Sequence, residues 1–274
     1  MKRLIFLLAL LCLVTSFKKK ELEWGAIGDS ITWLNEHPGE TGSRITTGYM
    51  SIVTKQLPHI HYINQGHNGW TSGEIADQVE KLGLVKADVY SIFLGTNDWW
   101  HGRTLGALSD YTGNKGNETV YGSFRIIMNK LHSLNPDAKI ILITPMQRVD
   151  FVYVNGMSNN AYGSYKQKNG QWLEQFANAV NAIGKYVHIP VVDLFHTKGM
   201  GLKDLVKFKR LRDPRTGEYK NYRYPNFIGV PLNIESDEYP YPAEAADVTY
   251  DGLHPSDKGF KIIAGKLVKI MKKF

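Results

Sequence analysis

The sequence predicts an α/β protein, a three-layer α/β/α sandwich around a five-stranded parallel, flavodoxin-like sheet of order 2-1-3-4-5. Three observations lead there. Short apolar runs of strand length alternate with longer stretches whose apolar residues recur at helical spacing, five of each. Each connection between runs is long enough for a right-handed crossover, which places helices on both faces of a parallel sheet. The 43% apolar and 22% charged content is that of an ordinary globular chain, which disfavours disorder and coiled coil.

Each element has its own signal. Leu22 to Ile27 is short, largely apolar and closed by Gly28, as a buried strand should be. Tyr49, Ile52, Val53 and Leu57 then share a helical face that Pro58 stops, and Ile60 to Ile63 is the second strand. Ile75, Val79 and Leu82 mark the second helix, followed by the strand Asp88 to Leu94. Val120, Phe124, Ile127, Met128, Leu131 and Leu134 make the third helix, with Asn135-Pro136 as its stop and Lys139 to Thr144 as the next strand. Trp172, Phe176, Val180 and Ile183 form the fourth, leading into Ile189 to Leu194. Pro255-Ser256 starts the C-terminal helix, whose face is Phe260, Ile263, Leu267, Ile270 and Met271.

Two stretches fall outside this repeat. Trp99 to Thr119 is rich in glycine and polar residues. His196 to Ala246 spans 51 residues with five tyrosines and no long periodic face. Loops of that length are usually lids or binding loops. No repeat or interdomain linker is visible, so 22–274 is expected to be one domain with an insertion at 196–246.

The N-terminus reads separately. Lys2 and Arg3 precede an apolar run from Leu4 to Val14 and then Thr15-Ser16, the three regions of a secretory signal over 1–16. The run is too short to span a bilayer as a helix, so export without a stable membrane span is expected, whether periplasmic, cell-surface or secreted. Lipid anchoring through Cys12 fits less well, because Leu10-Leu11 and Leu13-Val14 flank it poorly for such a site. Cys12 is the only cysteine, so the body has no disulfide, thiol nucleophile or cysteine metal site. Residues 1–20 hold five basic residues and no acid, so the remainder carries 28 basic against 26 acidic residues, +2 rather than +7. A nucleic-acid partner is not supported.

The chemistry gathers where parallel strands end. Gly28-Asp29-Ser30 follows the first strand, Asn64-Gln65-Gly66-His67-Asn68-Gly69 the second, and Gly95-Thr96-Asn97-Asp98 the third. Asp251-Gly252-Leu253-His254-Pro255 precedes the last helix, beside the same sheet edge. Topology thus assembles an acyl-transfer inventory. Ser30 is a poor nucleophile until a base takes its proton, imidazole suits that near neutrality, and Asp251 lies one tight turn from His254 to hold its tautomer. The oxyanion needs donors, for which the Ser30 N–H, a glycine N–H of the second loop and the Asn97 amide are placed.

These four signatures, in this order, closely resemble the SGNH hydrolases, the GDSL-like esterases and lipases. The family's serine, glycine, asparagine and histidine map onto Ser30, Gly69, Asn97 and His254, the spacing after Asn64 selecting Gly69 over Gly66. Ile31 stands where the name-giving leucine would be. The resemblance covers the elements from Trp24 to Lys269 and implies a metal-independent serine esterase without cofactor.

Other residues near these loops divide between bracing and binding. Asp29 and Asp98 are expected to brace their turns. Trp33, Trp70, Trp99 and Trp100 each fall within three residues of a proposed catalytic residue, and with His101 they are candidates to contact substrate, as an aromatic rim for a sugar face or an apolar group. His67 is a weaker candidate. His196 to Arg223 holds nine basic residues and three acids, read first as a solvated charged loop, with contact to an anionic glycan as the alternative. The expected substrate is a small-molecule or oligosaccharide ester, with acetyl on a carbohydrate first. A lipase, lysophospholipase or thioesterase is the near rival, and a non-catalytic glycan-binding protein the rival of another class.

Overall fold

The computed structural model describes residues 19–157 and 160–274. The expected signal at 1–16, with Cys12, lies outside the described residues. Five strands, β1 (Leu22–Gly28), β2 (Ile60–Gly66), β3 (Val89–Phe93), β4 (Lys139–Ile143) and β5 (Val191–Val192), form a parallel sheet of order β2-β1-β3-β4-β5. The α/β class and strand order are those the alternation predicts.

Both faces of the sheet are buried, and the strands show it residue by residue. Trp24, Ala26, Phe93, Ile141 and Ile143 point into one core, while Ile27, Tyr90, Ile92, Ile140 and Leu142 point into the other. The first core is covered by α2 (Tyr49–Gln56) and α8 (Asp257–Met271). The second is covered by α3 (Ser72–Gln78), α6 (Val120–Leu134) and α7 (Leu173–Tyr186). Side-chain caps fix several starts: Thr71 and Glu74 cap α3 reciprocally, Thr119 accepts from Gly122 N–H, and Ser256 caps α8.

Three differences from the sequence reading matter. β2 runs on to Gly66, because its pairing with β1 continues to Gly28↔Gly66, so Asn64 and Gln65 are strand residues. β5 shrinks to two residues, an edge strand paired only to β4. Three short helices appear that have no room for a periodic face: α1 (Ser30–Trp33), α4 (Thr96–Trp100) and α5 (Leu108–Thr112).

The stretch 196–246 carries an antiparallel pair, β6 (Lys209–Arg212) and β7 (Tyr219–Tyr222). It contributes Met200, Leu205, Val206, Leu211, Phe227 and Tyr241 to the α2/α8 core. No helix among the described residues is long and apolar enough to cross a membrane.

Candidate active site

Ser30 is placed by two constraints. Asp29 caps α1 with its Oδ1, which accepts the Ile31 N–H at 3.0 Å, so Ser30 becomes the first helical residue past the end of β1. The end of β2 closes against α1: a Cβ on Gly66 would lie 2.2 Å from the Trp33 nitrogen, which only glycine avoids.

The segment before α8 carries Asp251 and His254. Asp251 is buried, and its Oδ1 accepts the N–H groups of Leu253 at 3.0 Å and His254 at 2.7 Å. Its Oδ2 lies 2.7 Å from His254 Nδ1, and His254 Nε2 lies 2.9 Å from Ser30 Oγ. A carboxylate accepting from Nδ1–H leaves the Nε2 lone pair facing the hydroxyl, the tautomer a general base requires. The ring is held by the Phe151 edge at 5.2 Å and by Tyr250 stacked at 6.0 Å.

Three candidate donors line the same cavity. The N–H groups of Ser30 and Gly69 have no partner among the described residues, whereas that of Gly66 is taken by Asn64 Oδ1 at 2.9 Å. Gly69 sits at φ +74°, a left-handed conformation that favours glycine. Asn97, on α4, donates one amide hydrogen to the Trp70 carbonyl at 3.0 Å, which orients the group and leaves its second hydrogen available.

The two other acids are bound into turns. Asp98 is fully buried and accepts from Ser72 N–H at 2.9 Å and Ser72 Oγ at 2.7 Å. Arg103 Nε lies 3.2 Å away, too misaligned to be a hydrogen bond. Burial raises the Asp98 pKa, and it pushes the Asp29 carboxyl up to about 6.

Ser30, Gly69, Asn97 and His254 line one cavity of about 590 Å³, a size that holds small ligands. Trp100 and His101 line it too, but Trp33, Trp70 and Trp99 do not. The expected aromatic rim is therefore corrected. Trp99 is wholly buried, whereas its neighbour Trp100 reaches the cavity, and the Trp99 Nε1 donates to the Gln171 carbonyl at 2.9 Å. Trp33 stacks on His37 at 3.6 Å and Trp70 on His67 at 4.5 Å, so a histidine covers a face of each.

The wall comes from a stretch the sequence reading passed over. Residues 144–172, between β4 and α7, supply Arg148, Phe151, Tyr153, Asn160 and Ala161. Its signal was only its length without periodicity. Arg148 is 1% exposed, and its guanidinium lies 4.9 Å from the Trp100 centroid, 5.5 Å from Trp99 and 5.9 Å from Phe151. Burial lowers its pKa to about 10, the carboxylates of Asp251 and Asp150 acting against that, so it stays cationic near neutrality. Such ring contacts are worth about 0.5–2 kcal/mol each, less than burying an unpaired charge costs.

No residue of 196–246 lines this cavity. That stretch grips the wall from behind instead. Lys209 Nζ pairs with Asp150 Oδ2 at 2.9 Å with only 3% of its side chain exposed. Tyr241 donates to the Asp150 carbonyl, and Tyr239 to that of Val152 at 3.0 Å. The wall in turn binds the base segment, Val149 N–H donating to the Gly252 carbonyl at 3.0 Å and Val152 N–H to that of Asp251 at 3.3 Å.

The model of the GDSL-like lipase/acylhydrolase family matches residues 26–262. A crystal structure described as a possible lipase from Chitinophaga pinensis is 60% identical, covering 92% of this chain and 98% of its own, with TM-score 0.91. A protein from Lactobacillus plantarum is 18% identical with TM-score 0.61, over 93% and 99% of the two chains. A catalytic mutant of an acetylxylan esterase from Geobacillus stearothermophilus is 20% identical with TM-score 0.50, over 91% and 94%. At those identities the last two likenesses are of fold alone. No curated protein matches the chain.

Proposed function

The chain belongs to the GDSL-like lipase/acylhydrolase family and hydrolyses esters, and on that premise we propose that it is an exported serine esterase removing acetyl or another short acyl group from a carbohydrate. The observation that carries the mechanism is the unbroken chain from Ser30 Oγ through His254 to Asp251, at 2.9 and 2.7 Å.

Ser30 attacks the ester carbonyl as His254 Nε2 takes its proton, and Asp251 stabilises the imidazolium that forms. The tetrahedral oxyanion is met by the N–H groups of Ser30 and Gly69 and the free amide hydrogen of Asn97. His254 returns the proton to the leaving alcohol oxygen, releasing the alcohol and leaving acyl-Ser30. Water then attacks that ester with His254 again as base, and the carboxylic acid departs.

The substrate class rests on the cavity mouth. Its exposed lining residues are Asn68, Gly69, His101 and Asn160, which offer hydrogen bonds and no apolar surface for an acyl chain. Export rests on Lys2-Arg3 and the apolar run Leu4 to Val14. The catalytic domain is taken as 22–274, with 196–246 inserted. The lipase reading draws on the description of the 60% identical structure, and an apolar mouth would be needed to favour it.

The test is turnover of acyl esters of graded chain length beside acetylated oligosaccharides, with fluorophosphonate labelling of the nucleophile. Short-chain preference, deacetylation of a glycan and labelling lost in Ser30→Ala are expected. Best activity on long-chain esters with none on glycans would overturn the carbohydrate assignment.

A further inference from the structure

Arg148 is the anomaly of the cavity. It lines the same space as Ser30 and His254 yet is almost wholly buried, and its Nε and Nη2 have no hydrogen-bond partner among the described residues. Buried polar groups are nearly always paired, and a guanidinium brings five N–H donors in a planar fork. The guanidinium lies against the rings of Trp99, Trp100 and Phe151, which accept no such fork.

The protein holds no free anion for it there. Glu40 is the only carboxylate among the described lining residues, and its two oxygens accept from Trp33 Nε1 at 3.0 Å and Asn68 Nδ2 at 3.2 Å. Asp251 is engaged by His254 and by two backbone N–H groups, and Asp150 by Lys209. Arg148 is also the only lysine or arginine among the described lining residues, Lys168 and Lys166 sitting over the Trp100 and Tyr162 rings at 4.3 and 5.5 Å without lining the cavity.

We infer that the ester substrate carries a carboxylate close to the scissile bond, bound in the cavity by the guanidinium of Arg148. A carboxylate matches the fork with two parallel N–H···O bonds once the side chain, 1% exposed in the free chain, turns its guanidinium towards the cavity, and the low-polarity setting of rings strengthens each. Resting on the carbohydrate esterase reading, the substrate class becomes an acetylated acidic sugar of the uronic-acid type. Neutral acetylated sugars leave Arg148 unpaired and are the poorer substrates.

The experiment compares two matched pairs: acetylated glucuronic acid against acetylated glucose, and 3-acetoxybenzoate against its methyl ester. In the wild-type enzyme kcat/KM should favour the carboxylate member by at least about ten-fold, as charge-assisted hydrogen bonds allow. In Arg148→Gln that ratio should fall towards one, with Arg148→Lys between. A wild-type ratio near one in both pairs overturns the proposal. So does an equal loss on both members in Arg148→Gln with a shifted pH profile, which would mean that Arg148 acts through Asp251. If neither sugar is cleaved but the aryl esters are, the carbohydrate reading fails and the aryl ratio still decides this one. Should Arg148→Gln not fold, the wild-type ratios decide, together with protection of Ser30 from fluorophosphonate by free glucuronate but not by glucose.

Discussion

Two long irregular stretches serve the site in opposite ways. Residues 144–172 form one wall of the cavity, whereas 196–246, the longer stretch with the more conspicuous composition, contributes nothing to its lining. The difference is one of anchorage. The insertion is anchored in the α2/α8 core, where Leu211 of β6 and Phe227 are buried, and it carries a backbone-paired element of its own in β6/β7. Among its described residues the wall has no repeating backbone pairing beyond the isolated bridges Phe151↔Ala161 and Lys168↔Gln171, so it is held by what packs behind it. Length and tyrosine content mark the insertion as a binding loop, yet the tyrosines that matter, Tyr239 and Tyr241, spend their hydroxyls on carbonyls of the wall.

The largest expected effect sets the zero for comparing the two stretches. Ser30→Ala should lower kcat by up to about 10⁶, with folding intact, as should His254→Ala, and the double variant should be hardly worse than either. Additive losses would mean that the two do not share a mechanism. Against that zero, the insertion is tested at its buried contact. Lys209→Met leaves Asp150 buried without its cation, which costs about 3–5 kcal/mol in stability, read as a lower melting temperature. The double variant with Asp150→Asn should recover part of the loss, as coupled neighbours do. If Lys209→Met instead raised KM with stability unchanged, the insertion would be touching substrate and the contrast would collapse.

Asn97 separates the strand ends from the wall. Asn97→Ala removes an oxyanion donor and should cut kcat by about 10²–10³ with little change in KM. It also frees the Trp70 carbonyl, so a raised KM with a lower melting temperature would make it a loop brace beside Trp100 rather than a donor. Kinetics and unfolding of one variant decide between these.

Asp29 lies in neither stretch and shows whether stability can move without them. Burial pushes its carboxyl up to about 6 in the folded chain, against about 3.9 unfolded. The folded state therefore binds the proton more tightly; that preference stabilises the chain fully below pH 3.9 and is lost as pH rises through 6. Asp29→Asn keeps the acceptor for Ile31 N–H and lacks the ionised form, so its stability relative to wild type should rise between pH 4 and pH 7, by up to about 3 kcal/mol. A difference between the two proteins that is flat across that range would mean that Asp29 does not carry the buried charge.

What the sequence made legible was whatever is local. The five strands, the helices with long apolar faces and the polar turns at strand ends each announce themselves within a dozen residues, and parallel topology then brings Ser30, Asn97 and His254 together. Trp99 and Trp100 show the limit: adjacent letters with one reading, they part on a five-residue helix too short for any period to tell inside from outside. Arg148 was illegible for another reason. Its burial depends on three rings, Trp99, Trp100 and Phe151, brought in from two segments, and no spacing in the chain records that.

The smallest effect is expected at the basic outer face of the insertion. Arg212 pairs with Asp237 at 3.0 Å and with the Tyr219 hydroxyl at 3.1 Å, while Arg215 is largely exposed. Both guanidinium groups face solvent, where water and salt screen them. The double variant Arg212→Ala/Arg215→Ala should therefore leave kcat/KM for a small acetyl ester within about two-fold of wild type. A polymeric acidic glycan is the sharper probe, since a long chain leaving the cavity could lie along these arginines where a small ester could not. If the insertion only buttresses the wall, polymer and small ester respond alike and neither gains salt dependence. If KM rises for the polymer alone and the rise vanishes at high salt, the basic face captures substrate at a distance, and the insertion has a binding role outside the cavity that its buried contacts with Asp150 do not reveal.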